Sequence, residues 1–551
     1  MDRTLTILDT TGIQDYIFGS NRLRENVVAS QLVELATSDW VYEALPTPNN
    51  LAADKTVIPG WRLEDDDQRQ AELIYRGGGN VVLLFRSLDA AKATVGRLSQ
   101  VLLTRAPGLS LVAAHATFTW TNDALGTPDG VYYQVVQQLA QEKQRRRSTV
   151  GMPSQSVALA CRSTGLPAVA SDPEEPTRPI SAVVAAKVDR TRRNQADERL
   201  KDLLREANVS ETIDTYELSR DLDELGRSKG EQSYIALVHA DANGMGQRFQ
   251  ALLSAYPGAN RNRRCINDLR ALSESLNQAS LRALKATVRA LMAALKQAHF
   301  QDFCAGLPRK RLPSGSDGKP YLPFRPLVFG GDDVTFVCDG RLGLTLAALY
   351  LQEFTNAARK LADGQPAHAC AGVAIVKTHY PFARAYALCD ELCSSAKTHV
   401  RNTGGVGAAL DWYFATTGIR ADLDTLRTRD YTVHAGSLHQ RPTLLQGSGW
   451  RTWDNFDRTV QTLLYDEQWR ERRNKVLALR EALRGGAQTT ERFRVMYGVA
   501  ALPLLDAVAD TRYRETGWIE ACCAYFDAVE ALDCYLPLAL RPPQAQGEGT
   551  P

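Results

Sequence analysis

Four consecutive residues, Gly330, Gly331, Asp332 and Asp333, have the types and spacing best suited to chemistry. Apolar runs rich in Val and Phe flank them, as in a β-hairpin, and the glycines allow the positive φ angles of a tight turn. Adjacent carboxylates repel each other unless a cation lies between them, and Mg²⁺ binds carboxylates together with substrate phosphates. The motif predicts a metal-dependent nucleotidyl-transfer centre. A solvated turn that carries two aspartates explains the four residues equally well.

A third carboxylate, Asp241, follows a continuous apolar run at 234–238, which is the pattern of a buried strand. In a ferredoxin-like sheet this strand and the hairpin lie side by side, so Asp241 is expected to face Asp332 and Asp333. Packing alone does not explain an aspartate at the end of an apolar strand. The three carboxylates predict a site for two Mg²⁺ or Mn²⁺ ions about 4 Å apart, which activate an attacking hydroxyl and neutralise a departing pyrophosphate.

Further polar residues near this predicted site have two interpretations each. Asn243 and Gly244 follow Asp241 in a turn; its backbone N–H groups are suited to contact phosphate, or the turn is only a connection. Lys397 and Arg401 are four residues apart near the end of a predicted helix and share one face. They either complement the helix dipole or clamp the β- and γ-phosphates of a nucleotide.

The elements around these residues follow the order of a ferredoxin-like palm domain. Residues 233–415 are predicted to form a strand, a long helix, the hairpin, a helix, a strand and a final helix. The last three are predicted at 343–362, 369–376 and 381–400. This segment is therefore predicted to be a catalytic palm.

The first part of the chain, 1–146, shows the same order in weaker form. Asp9 ends its first predicted strand and occupies the place of Asp241. The turn that replaces the glycine–aspartate motif consists of Gly77, Gly78, Gly79 and Asn80. Because this turn lacks both carboxylates, the first palm is predicted to be degenerate. The fold class expected from both halves is α+β, with two ferredoxin-like palms.

Three other regions have no palm pattern. Residues 147–232 are polar, contain a charge-dense predicted helix at 195–225, and are interpreted as a connector without an assigned function. Residues 416–541 are predicted to form a helical C-terminal domain. Its clearest helical patterns are at 469–483, 490–505 and 517–532. The tail 542–551 is rich in Pro, Gln and Gly and is predicted to be disordered.

The bulk composition is that of a folded soluble protein. The length of 551 residues favours three or four domains rather than one core, and 44% of the residues are apolar and 23% charged. A net charge of +2 favours neither a nucleic-acid coat nor a membrane surface. The N-terminus lacks a signal peptide and no apolar stretch is long enough to cross a bilayer, so the cytoplasm is expected. The ten cysteines form no CxxC pair and indicate neither a zinc ribbon nor a disulfide framework.

Several segments match a known family in combination. They are Ile13–Phe18, Ala240–Gly246, Gly330–Asp333, and Ala371–Val376 followed by Ala396-Lys397. Together they resemble the large polymerase-like subunit of type III CRISPR effector complexes, over both palms and loosely over the helical C-terminal region. Lys397, Arg401 and Asn402 are also similar to the Lys-x3-Arg-Asn element of the related diguanylate cyclases.

This resemblance implies condensation of nucleoside triphosphates, usually ATP, into cyclic oligonucleotide second messengers for antiviral defence. In that family two palms face each other and each holds one triphosphate. The degenerate palm, with Gly78, Gly79 and Asn80, would then hold the acceptor nucleotide. Catalysis and ion binding fall to Asp241, Asp332 and Asp333. CRISPR RNA and other effector subunits are partners that the resemblance leaves open.

The chain also departs from the family pattern. It opens directly with a palm, without the HD nuclease domain that many members carry, so DNA cleavage by such a domain is not expected. Zinc-binding cysteine pairs between the palms are absent, and only Cys161 remains there. Asn243 stands at a position where the family frequently has an aspartate, which weakens the prediction of a second carboxylate on the first strand of this palm. The chain is short for the family, which suggests a stand-alone or minimal variant.

Two other functions compete with a cyclic oligonucleotide synthase. One is a non-catalytic scaffold of a CRISPR-type ribonucleoprotein, which has no use for three converging carboxylates. The other is a nucleic-acid polymerase or a diguanylate cyclase. The fused second palm argues against an ordinary diguanylate cyclase, because that enzyme pairs two copies of one domain.

Overall fold

The computed structural model describes residues 2–145, 158–226, 233–312, 314, 316–415 and 422–541. The predicted disordered tail, 542–551, lies outside the described residues. Within them, no helix combines the length and the apolar character needed to cross a membrane. The architecture consists of two palm domains, a connector between them and a C-terminal region.

The first palm is built on four antiparallel strands. They are β1 (Asp2–Thr11), β2 (Ala71–Gly77), β3 (Asn80–Phe85) and β4 (Ser110–Thr119). Its helices are α1 (Ile13–Phe18), α2 (Leu23–Ala36), α3 (Asp39–Ala44), α4 (Leu88–Arg105) and α5 (Val131–Arg145). The strand order β2-β3-β1-β4 is that of a ferredoxin-like fold.

The described part of the connector, 158–226, contains two very short strands and four helices. They are β5 (Ala170–Ser171), β6 (Pro179–Ile180), α6 (Ala182–Lys187), α7 (Arg190–Glu206), α8 (Glu211–Thr215) and α9 (Asp223–Gly226). The prediction of one helix over 195–225 was wrong. Asn208 adopts a left-handed conformation, with φ of 56°, and separates α7 from α8.

The second palm repeats the sheet of the first. Its elements are β7 (Tyr234–Ala242), α10 (Met245–Ser254), α11 (Asn262–Ala294), α12 (Gln301–Ala305), β8 (Arg309–Arg311), β9 (Asp317–Pro320), β10 (Phe324–Phe329), β11 (Asp333–Asp339), α13 (Gly343–Ala357), β12 (Ala369–Lys377), α14 (Phe382–Asn402) and β13 (Ala409–Ala415). The order β10-β11-β7-β12 matches that of the first palm, and β13 extends it in parallel to β12. Two ferredoxin-like palms are thereby confirmed.

The C-terminal region is mainly helical, as predicted, but it includes a small sheet. Its elements are α15 (Leu423–Tyr431), β14 (Thr432–Val433), β15 (Gly436–Ser437), β16 (Thr443–Leu444), α16 (Trp453–Tyr465), α17 (Arg473–Arg484), α18 (Ala487–Tyr497), α19 (Tyr513–Thr516), β17 (Trp518–Ile519), β18 (Cys522–Cys523) and α20 (Phe526–Ala531). The helix predicted at 490–505 ends at Tyr497, because Gly498 adopts a left-handed conformation. The helix predicted at 517–532 is instead the strand pair β17–β18 followed by α20.

A glycine in the central strand β12 allows α14 to lie close to the second palm sheet. Gly372 is paired with His239 of β7. A Cβ at this position would overlap the carbonyl oxygen of Cys389 and lie 2.8 Å from the Cβ of Leu392, both in α14. The missing side chain therefore fixes the distance between this helix and the strands that carry the aspartates.

We expect Gly372→Ala to lower the free energy of unfolding by about 2–3 kcal/mol, because the new methyl group meets backbone rather than a flexible side chain. Urea denaturation measures the change. The matched control is Gly96→Ala on the exposed face of α4, where an added Cβ meets nothing within 4 Å. That variant should gain about 0.5–1 kcal/mol from helix propensity. Equal stability of Gly372→Ala and the unmodified protein would contradict the close packing.

Candidate active site

Asp241 and Asp333 lie opposite each other on neighbouring strands. The strands β7 and β11 are antiparallel, and these two aspartates are register partners. Register partners carry their side chains on the same face of a sheet, with Cβ atoms about 5 Å apart. Asp241, near the end of β7, and Asp333, at the start of β11, therefore lie together at one end of the strands of the second palm sheet.

Asp332 lies in the turn and faces the first palm. Its Oδ1 is 3.5 Å from the point where Gly78 would carry a Cβ. Burial, and then the carboxylates of Asp241 and Asp333, raise the pKa of Asp332 to about 6. A carboxyl group that is driven toward its neutral form by two like charges is one that a cation would stabilise as the anion.

Lys397 of α14 reaches the same end of these strands. Its ammonium group forms an ion pair with Asp241 and donates to the carbonyl oxygen of Ala242 at 3.3 Å. Burial opposes the charge on Lys397, but the Asp241 carboxylate outweighs it and raises the lysine pKa. Arg401 is exposed and donates to the hydroxyl of Thr398 at 3.1 Å. Of the two predicted phosphate ligands, only Lys397 therefore contacts the carboxylates.

Asn243 and Gly244 form the turn that leads from β7 into α10. Gly244 is left-handed, with φ of 67°, and immediately precedes the helix. The Asn243 amide nitrogen Nδ2 donates to the carbonyl oxygen of Gly407 at 3.0 Å, so this side chain ties the turn to the loop after α14. The N-terminal N–H groups of α10 begin directly beside Asp241, in a position that suits an anion.

The glycine–aspartate turn contacts the corresponding turn of the first palm. Gly330 and Gly331 both have positive φ angles, 121° and 97°. The Gly331 N–H donates to Asn277 Oδ1 of α11 at 2.9 Å. A Cβ at Gly331 would lie 3.1 Å from the backbone nitrogen of Gly78, so only glycine allows the two turns to approach this closely.

The connector also contacts this turn, although the sequence indicated no role for it. Arg199 of α7 donates to the carbonyl oxygen of Phe329 at 2.8 Å, and its guanidinium lies 4.0 Å from the centroid of the Phe329 ring. Phe329 immediately precedes the two glycines. Helix α7 therefore helps to hold the end of β10 in place.

The first palm keeps counterparts of Asp241, Gly244 and Lys397 but lacks the turn carboxylates. Asp9 is in register with Asn80, as Asp241 is with Asp333. Gly12 has the φ angle of Gly244, 67°. Lys143 of α5 forms an ion pair with Asp9, in the manner of Lys397. Asp9 lies where the sequence repeat predicted it, whereas Lys143 was not among the predicted site residues.

A cavity of about 450 Å³ lies between the palms. The residues that line it include Tyr75, Gly78, Asn80, Tyr132, Phe249 and Asp332. Tyr75 of the first palm stacks on Phe249 of the second, with ring centroids 5.7 Å apart. Of the three predicted acceptor residues, Gly78 and Asn80 line this cavity, and Gly79 lies in the turn between them. The cavity is large enough and aromatic enough to hold a nucleoside.

The three aspartates have the donor chemistry that a divalent cation requires, but they do not converge on one point. In the described part of the chain, no group of three or more His, Cys, Asp or Glu side chains has the arrangement of a metal site. Asp241 is paired with Lys397, and Asp333 Oδ1 lies 3.1 Å from His239 Nδ1. Asp333 Oδ1 is nevertheless buried and accepts no hydrogen bond. The carboxylate set fits a cation, and the predicted ion site stays a prediction.

Comparison with known families identifies part of the chain. Residues 234–404 match the family described as Cas10/Cmr2, second palm domain. No curated protein is similar enough in sequence to count as a relative.

Solved structures share the fold over nearly the whole chain. A Csm1-Csm4 cassette in complex with cA4 has 14% sequence identity and a TM-score of 0.50, with 98% of this chain and 70% of that chain covered. A Csm1-Csm4 cassette with pppApApA has 12% identity and a TM-score of 0.50, with 96% and 69% covered. Csm1 in T. onnurineus has 14% identity and a TM-score of 0.50, with 96% and 68% covered. At these identities the similarity shows the fold.

Proposed function

We propose that this chain, a Cas10-like palm-domain subunit, is a nucleotidyltransferase that condenses nucleoside triphosphates into cyclic oligonucleotides. The observation that carries the proposal is the register pair Asp241 and Asp333, beside the half-buried Asp332, which lines a cavity between the two palms. A turn with only a structural role would gain no stability from neighbouring carboxylates that raise the pKa of Asp332.

The chain's residues divide the chemistry between the palms. Asp241, Asp332 and Asp333 would hold Mg²⁺ or Mn²⁺, two ions in all, which supply charge neutralisation and a more acidic attacking hydroxyl. The donor triphosphate is held by Lys397, Arg401 and the N–H groups after Asn243 and Gly244. The Gly330–Gly331 turn meets its phosphates, and Gly78, Gly79 and Asn80 hold the acceptor.

The reaction forms one bond and breaks one. The ribose hydroxyl oxygen of the acceptor bonds to the α-phosphorus of the donor and loses its proton. The bond between that phosphorus and the pyrophosphate oxygen breaks, and pyrophosphate carries away the electron pair. Repetition lengthens a linear oligonucleotide. Its terminal hydroxyl then bonds to the α-phosphorus of its own triphosphate end, and the release of a further pyrophosphate closes the ring.

ATP is the proposed substrate, because the solved relatives are complexes with cA4 and pppApApA. The same relatives contain Csm4, so a subunit of that kind is a proposed partner. CRISPR RNA, a role in antiviral defence and a cytoplasmic location belong to the same proposal.

The test is incubation of the purified protein with each nucleoside triphosphate and Mg²⁺ or Mn²⁺, with and without RNA, followed by mass spectrometry of the products. Short cyclic or linear oligonucleotides are expected. The control is Asp332→Ala with Asp333→Ala, which should give none. A long polymer would indicate a polymerase instead. A cyclic dinucleotide of guanosine would indicate a diguanylate cyclase.

One observation favours a non-catalytic scaffold as the second candidate. The ion pair between Lys397 and Asp241 closes the carboxylate site in this structure. A scaffold needs no open site. If the protein consumes no nucleoside triphosphate with any metal, with or without RNA, the scaffold is the better assignment.

A further inference from the structure

His239 is a buried polar residue that the proposed function does not use. It lies on β7 two residues before Asp241, and alternate residues of a strand share a face. Its side chain is only 6% exposed. The ring nitrogen Nδ1 lies 3.1 Å from Asp333 Oδ1 and 3.1 Å from the hydroxyl of Thr335, and Nε2 lies 3.6 Å from Asp390 Oδ1.

The proton on this ring can be assigned from its neighbours. A lone pair on Nδ1 would face an oxygen of the Asp333 carboxylate at 3.1 Å, which is repulsive. A proton on Nδ1 makes the same contact electrostatically attractive, and the Thr335 hydroxyl then accepts the hydrogen bond from Nδ1. Nδ1 therefore carries a proton. Asp333 Oδ1 is buried without a hydrogen bond, whereas the Asp333 side chain as a whole is 35% exposed, so its exposure does not come from the oxygen that faces His239.

The ring is held from the first palm through a line of aromatic contacts. Tyr386 of α14 packs edge-on to His239, with ring centroids 5.4 Å apart. Phe18 of α1 stacks on Tyr386 at 4.0 Å. Phe18 ends the Ile13–Phe18 segment, which carried part of the family resemblance without an assigned role. The close approach of α14 over Gly372 makes this line of contacts possible.

We propose that His239 is a positioning residue that fixes the orientation of the Asp333 carboxylate and leaves Oδ2 available for a cation. Tyr386 and Phe18 hold the imidazole in the required orientation, so the first palm helps to set a carboxylate of the second. This inference rests on the proposed function only in taking Asp333 as an ion ligand. Groups that orient ligating carboxylates typically contribute 10- to 100-fold to metal affinity.

Three variants of the full chain separate the two ring nitrogens. In His239→Asn the amide can place an N–H near the position of Nδ1, in His239→Gln near that of Nε2, and in His239→Ala at neither. Binding of Mn²⁺ alone, measured by electron paramagnetic resonance, is the readout, together with thermal unfolding. We expect His239→Ala and His239→Gln to weaken Mn²⁺ binding about 10-fold. His239→Asn should stay within about 3-fold of the unmodified protein.

The control is Asp390→Asn, whose side chain is 48% exposed and lies 3.6 Å from Nε2, on the other side of the ring from Nδ1. It should leave Mn²⁺ binding unchanged. The proposal is overturned if His239→Asn binds as weakly as His239→Ala, if affinity follows thermal stability across the variants, or if the unmodified protein binds no Mn²⁺. Absence of nucleotide condensation, with the expected order of Mn²⁺ affinities, would remove the proposed function and leave the positioning role in place.

Discussion

Asp332→Asn is expected to lose at least about 100-fold in nucleotide condensation and to gain thermal stability in the metal-free protein. The activity falls because one of the three carboxylates proposed to hold the ions is neutralised. The stability rises because burial and two neighbouring carboxylates raise the Asp332 pKa to about 6, from an ordinary value of 3.8, so its charge destabilises the folded state. A shift of this size corresponds to about 1–3 kcal/mol.

The sign of the pH dependence follows from the same shift. The folded protein binds the Asp332 proton more tightly than the unfolded chain does, so stability decreases as pH rises from about 4 to above about 6. The gain in Asp332→Asn should therefore be full at pH 7.5 and vanish below pH 4. Melting curves in EDTA at both pH values measure it.

The matched comparison is Asp333→Asn. We expect the same loss of activity, but not the same gain in stability, because this carboxylate lies against His239. Unchanged turnover in either variant would refute the assignment of the carboxylate site.

Lys397→Met is expected to have opposite effects on two ligands. The KM for the nucleoside triphosphate should rise about 10- to 100-fold, with a smaller fall in kcat, because the proposed charge-assisted contact to phosphate is lost. Binding of Mn²⁺ without nucleotide should become tighter. In the structure the Lys397 ammonium is bound to oxygens of Asp241 and Ala242, so it competes with a cation for them.

Steady-state kinetics and Mn²⁺ titration test the two effects separately. The comparison variant is Arg401→Met, which lies one helical turn away and contacts only Thr398 among the described residues. It should raise the KM without changing Mn²⁺ binding. An unchanged KM in Lys397→Met would indicate that this lysine complements the helix dipole and does not bind phosphate.

The palms and their carboxylates were predictable from the sequence because their signals are local. Apolar runs with glycine breaks define β7 and the hairpin, and the ferredoxin-like strand order then places Asp241 beside Asp333. The register confirms that these strands are neighbours. The repeat in the first palm follows from the same periodicity, and it placed Asp9 correctly relative to Asp241.

The contacts that orient these carboxylates could not be predicted in this way. Lys397 meets Asp241, Phe18 reaches His239 through Tyr386, and Arg199 holds Phe329 across large separations in the chain. No local pattern records such pairs, because each depends on how two separately formed elements pack.

The same distinction explains the errors outside the palms. The strands of the C-terminal sheet have two residues each, too few to show an alternating pattern. The sequence by itself determined the two palms and the three aspartates, since alternation and helical periodicity are properties of neighbouring residues. The tertiary structure decided which ammonium or imidazole group faces a carboxylate, because only packing between separate elements brings those groups within a few ångströms.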